Sequence, residues 1–78
     1  MYVKIERLFL DELKAVYRFR SVDRGGGWGE CEIDRRTGEV RLLKEAEFVN
    51  EPAFGRAGRR LFLHWKEGRF PELTEWAT

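Results

Sequence analysis

Alternation of apolar and polar positions organises the first half of this chain. Between Leu13 and Val22, Ala15, Tyr17 and Phe19 fall on one side and Val16, Arg18 and Arg20 on the other. A period of two marks a half-buried β-strand. Beyond Gly25-Gly26-Gly27-Trp28-Gly29, read as a loop between strands, Gly29, Cys31 and Ile33 alternate with Glu30, Glu32 and Asp34 to give a second strand. Glu39 to Leu43 supplies a third. The linking segment, Asp34-Arg35-Arg36-Thr37-Gly38, is a turn. The Asp34 and Thr37 oxygens can accept from turn amides, and Gly38 takes a left-handed conformation without steric cost.

The turn predicts a register. Facing Asp34 with Glu39 sets Ile33 opposite Val40, Glu32 opposite Arg41 and Cys31 opposite Leu42. The apolar members and Cys31 then share one face. For the preceding strand, one register sets Phe19 opposite Cys31 and Tyr17 opposite Ile33. It builds an Arg18–Glu32–Arg41 ladder with Arg20 beside Glu30, each opposite-charge pair contributing about 0.2–1 kcal/mol.

The period changes to 3.6 after residue 52. Phe54, Ala57, Gly58, Leu61, Phe62 and Trp65 recur at helical spacing. Asn50 or Glu51 can cap this helix, Pro52 suits its first turn, and Gly68 with Pro71 ends it. The tail from Phe70 is expected to return along the domain with Leu73 and Trp76 packing down. The N-terminus reads two ways. Val3, Ile5, Leu8 and Leu10 suit a strand turning at Asp11-Glu12, whereas Ile5, Leu8, Phe9, Leu13, Val16 and Tyr17 also fit a helical stripe. The β-prone start Tyr2-Val3-Lys4-Ile5 favours the strand. The expected fold is α+β. An antiparallel meander of three or four strands carries one C-terminal amphipathic helix on one face, ββββα with αβββα as the alternative.

Seventy-eight residues make a single domain, 1–78, whose small core leans on large aromatic rings. The single cysteine, Cys31, has no intramolecular disulfide partner, which favours a reducing compartment. No apolar run reaches the ~20 residues of a membrane span. Charges occupy the N-terminal stretch where a signal peptide needs apolar residues. A cytoplasmic protein without membrane association is expected. Net charge is +1, but residues 52–69 carry Arg56, Arg59, Arg60, Lys66 and Arg69 against Glu67, while residues 25–51 lean acidic.

Candidate chemistry is sparse. His64 is the only histidine and reads as an exposed residue near a helix end, where a protonated ring suits the dipole. Cys31 reads as a small core residue. One Cys and one His exclude a Cys/His zinc site within the chain. Glu30, Glu32 and Asp34 line one strand face, but arginines pair the first two. The glycine loop lacks both Walker A and dinucleotide-binding spacing. No catalytic set, metal site or cofactor is expected.

Two surfaces point to binding. Arg56, Arg59 and Arg60 share one helix flank, suited to an acidic partner or a nucleic-acid backbone. On the outer sheet face, Trp28, Val22 and Leu43 need a cover. The expected function is a non-enzymatic protein-interaction module, self-associating as a homodimer or binding a protein partner. The alternatives are a nucleic-acid-binding accessory domain using the basic helix, and a small enzyme using strand carboxylates.

Overall fold

The computed structural model describes residues 2–23, 25–46 and 53–77. Strands β1 (Tyr2–Leu10), β2 (Lys14–Ser21), β3 (Gly29–Asp34) and β4 (Val40–Lys44) are followed by helix α1 (Ala53–Lys66) and strand β5 (Leu73–Ala77). They form one antiparallel sheet in the order β4-β3-β2-β1-β5, and α1 packs on one face of it, touching all five strands. The α+β class and the four-strand meander followed by a helix hold. The proposed helix caps at residues 50–52 lie outside the described residues.

Each hairpin turn is built by an aspartate. Asp11 Oδ1 accepts from the amides of Leu13 and Lys14, both at 2.8 Å, which makes β1 and β2 a hairpin and removes the αβββα alternative. Asp34 Oδ1 accepts from Arg36 N at 2.8 Å and Thr37 N at 3.2 Å. Gly38 has φ +78° and donates its amide to the Asp34 carbonyl at 2.8 Å. The β3–β4 register is the expected one: Ile33↔Val40, Glu32↔Arg41 and Cys31↔Leu42.

The β2–β3 register differs from expectation by two residues. Tyr17 faces Cys31, Ala15 faces Ile33 and Phe19 faces Gly29. A shift of two keeps every side chain on its expected face, so face alternation alone does not distinguish these registers. Space does: a Cβ on residue 29 would lie 2.5 Å from Phe19 Cζ. The Phe19 ring occupies the volume that a side chain there would fill, and only glycine fits opposite it. The shift also corrects the charge ladder. Arg18 turns to Glu6 on β1, with Nε to Oε1 at 2.7 Å. Glu32 is held by Arg41 and, at 3.7 Å, by Lys14.

A fifth strand was not expected. Three bonds steer the tail onto the edge of β1: Arg7 Nη1 to Phe70 O at 2.6 Å, Tyr17 Oη to Pro71 O at 2.7 Å, and Arg7 N to Glu72 O at 2.8 Å. Trp76 then lies opposite Val3 and Thr74 opposite Ile5, on the helix side. Alternation forces Leu73 outward, where it is 67% exposed rather than packed down.

The core lies between sheet and helix. Val3, Ile5, Ala15, Tyr17, Phe19, Cys31 and Ile33 meet Ala53, Ala57 and Leu61, with Val40, Leu42, Phe54, Trp65 and Trp76 at its margin. Phe62, expected inside, is exposed and stacks on Trp65 with centroids 5.6 Å apart. Trp65 Nε1 donates to the Arg35 carbonyl at 2.7 Å, fixing the helix to the β3–β4 turn.

Candidate interaction surfaces

The residues most readily associated with chemistry, Cys31 and His64, are both withdrawn from solvent to some degree. Cys31 is buried on β3, and desolvation pushes its thiol up to about 12, so it carries almost no thiolate at neutral pH. His64 is half-buried rather than exposed. Its Nε2 lies 2.8 Å from Thr74 Oγ1 on β5. Burial, followed by the nearby Arg69 and Arg60 charges, lowers its pKa, which favours the neutral ring over the protonated form suited to the helix end. Among the described residues no group of three or more His, Cys, Asp or Glu side chains is placed to hold a metal ion. No helix there is long and apolar enough to cross a membrane.

The six residues singled out from sequence fall on two opposite sides of the sheet. Trp28 lies on the outer face. The Arg18 guanidinium sits 3.9 Å from its ring centre and that of Arg20 5.5 Å away, a cation–π bracket that half-buries the indole. Val22 is exposed just after β2. Leu43 is exposed on edge strand β4, at the irregularity where the pairing steps from Cys31↔Leu42 to Glu30↔Lys44.

The three arginines lie on the helix side. Ala53, Ala57 and Leu61 face the sheet. Phe54, Gly58 and Trp65 lean toward Phe19, Val40 and Gly38. On the other flank, which also carries Arg56 one turn earlier, Arg60 and His64 reach β5: the Arg60 guanidinium lies 5.2 Å from the Trp76 ring centre and His64 Nε2 meets Thr74. Arg59 points to solvent. The Nε atoms of Arg56 and Arg60 and the Nε1 of Trp76 are buried without an acceptor.

A third surface escaped the sequence reading. The β1–β2 hairpin end presents Leu8, Phe9, Leu10 and Leu13 at 50%, 47%, 38% and 65% exposure, and Leu73 stands nearby. The β1–β5 pairing stops at Glu6↔Leu73, so Leu8–Leu10 extend beyond the paired part of β5. Pairing with β2 is irregular between Arg7 and Phe9, and Phe9 lies opposite Val16. A shallow depression of about 690 Å³ is lined by Leu8, Phe9, Leu10, Glu72 and Leu73. The sequence signal was three apolar residues in a row, Leu8-Phe9-Leu10, within an otherwise alternating strand. Charge of both signs surrounds the patch: the Arg7–Glu72 pair at 3.5 Å, Asp11, Glu12 and Lys14.

Against these three surfaces, comparison with known proteins adds no relative: no protein-family model, no curated protein and no solved structure matches the chain.

Proposed function

We infer that this domain is a non-enzymatic protein-interaction module that self-associates through the β1–β2 hairpin end. One observation carries the reading. Large aliphatic and aromatic side chains gather at that end, outside the core, with Leu13 65% exposed and Leu73 67% exposed. Exposed large apolar side chains concentrated at one end of a domain are costly in water and mark interaction sites. A two-fold interface must be complementary to itself. An apolar centre ringed by both Arg7 and Glu72, and by both Lys14 and Asp11, meets that condition. Trp28 is already bracketed by Arg18 and Arg20, and Val22 and Leu43 stand on separate elements. That strip offers a partner less uncommitted apolar surface. A reducing, cytoplasmic setting fits the single buried thiol.

Sedimentation velocity across a dilution series tests the reading. The expected result is a dimer that dissociates on dilution, and a monomer at every concentration for Phe9→Lys and Leu13→Lys. Both positions are exposed, so thermal stability should hold to within about 0.5 kcal/mol. A strict monomer at the highest concentration of the unaltered chain would contradict self-association.

A further inference from the structure

The flank of α1 that meets β5 carries donors without acceptors. Helix and strand run side by side in step, with His64 at Thr74 and Arg60 at Trp76. Four helical residues rise about 6 Å and two strand residues span about 6.8 Å. Arg56 therefore continues the row one step beyond Trp76. The Nε of Arg56, the Nε of Arg60 and the Nε1 of Trp76 are all buried and unpartnered. Each carries the desolvation cost of a buried donor without a partner.

Beside this row lies an open sheet edge. β5 is the last strand on its side of the sheet, so its outward-facing backbone groups have no strand partner among the described residues. On the helix side of that edge the arginines set a positive field. Glu75, the acidic residue within β5, alternates to the opposite face, where it accepts from the Tyr2 hydroxyl.

We propose that the β5 edge takes up an extended acidic peptide as a sixth strand, with carboxylates at alternate positions received by Arg56 and Arg60. Strand addition draws affinity from main-chain hydrogen bonds and preference from alternate side chains. Side chains on one face of an added strand recur every ~6.8 Å, close to the ~6 Å step between Arg56 and Arg60 along the helix. Guanidinium–carboxylate bonds are charge-assisted and directional. A nucleic-acid backbone supplies anions but no amide ladder for the edge. The arginine end of this edge, at Trp76, lies away from the hairpin end, which meets β5 only at Leu73.

Fluorescence anisotropy with the full chain tests the proposal. The probe is a labelled peptide Thr-Val-Glu-Val-Glu-Val-Thr, and the controls are Thr-Val-Glu-Glu-Val-Val-Thr, an alternately N-methylated form of the probe, and a single-stranded oligouridine. The probe should bind about tenfold or more tighter than each control, and its binding should slow hydrogen exchange at β5 amides. Combining Arg56→Gln with Arg60→Gln should weaken the probe by a similar factor and the adjacent-glutamate control by clearly less. Equal binding of the two glutamate peptides, undiminished binding of the N-methylated form, or tighter binding of the oligonucleotide would overturn the proposal. The peptide comparisons decide it even if the double variant fails to fold.

Discussion

Replacing Gly38 with alanine should be among the most damaging single-methyl additions in this protein. Two costs coincide there. Gly38 holds φ +78°, and an L-residue in that region costs roughly 1–2 kcal/mol. The added Cβ would also lie 2.6 Å from Trp65 Cε3 and 2.7 Å from Cζ3. The indole must move, which strains its 2.7 Å bond to the Arg35 carbonyl and typically costs about 1–3 kcal/mol as overpacking. The combined loss is about 3 kcal/mol. A domain of 78 residues is stable by roughly 4–12 kcal/mol in all. With an unfolding entropy of about 0.16 kcal/mol/K for this length, the melting midpoint should fall by about 18 °C. Urea denaturation of Gly38→Ala in the native and Trp65→Leu backgrounds separates the two costs. With leucine at 65 the steric part disappears and the backbone part remains, so the cycle should show a coupling of about 1–2 kcal/mol. A loss under about 1 kcal/mol in the native background, or equal losses in both, would refute the reasoning.

Other predictions concern the core, acid sensitivity and the thiol. Ile33→Ala and Leu61→Ala, which empty the two sides of the sheet–helix contact, should each cost about 2–5 kcal/mol by urea denaturation. A loss under about 1 kcal/mol at both would contradict the inward-face assignment. Acid should destabilise the fold. Bonds from Arg18 to Glu6, from the Lys14 and Leu13 amides to Asp11, and from the Tyr2 amide to Asp23 all lower those carboxyl pKa values, and burial lowers that of His64. In each case the unfolded chain binds protons more readily. Stability should therefore begin to fall below about pH 6.5 as His64 titrates, then more steeply below about pH 4 as pH passes through the lowered carboxyl values. A urea midpoint that rises on acidification would contradict this. Cys31 should be inert to a thiol-specific disulfide reagent in the native state and react only on unfolding; rapid native-state labelling would place it outside the core.

Local chemistry made some of this structure readable in the sequence. Asp34, Thr37 and Gly38 specify a turn, and a turn specifies its register, so the β3–β4 pairing followed directly. The β2–β3 pairing did not, because registers two residues apart bury the same side chains. The deciding contact is between Phe19 and the missing side chain of Gly29, which exists only in three dimensions. Strand β5 was hidden for another reason. Leu73-Thr74-Glu75-Trp76-Ala77 lacks apolar alternation, and it is held by Arg7 and Tyr17 bonds to backbone carbonyls before it begins. The arginine flank was legible from helical spacing, but the orphaned donors were not, since they depend on where Trp76 comes to rest. Leu8-Phe9-Leu10 was visible but ambiguous, because a strand bulge and a helical stripe place similar apolar residues together.

Self-association through the hairpin end is the central claim, and concentration-dependent amide NMR tests it most directly. Spectra of the 15N-labelled chain recorded from dilute to concentrated solution should shift first at Leu8–Leu13 and Leu73. The amides around Trp28 and Leu43, and those of α1, should stay in place. Spectra that do not change with concentration, or shifts centred on Trp28, Val22 and Leu43, would contradict it.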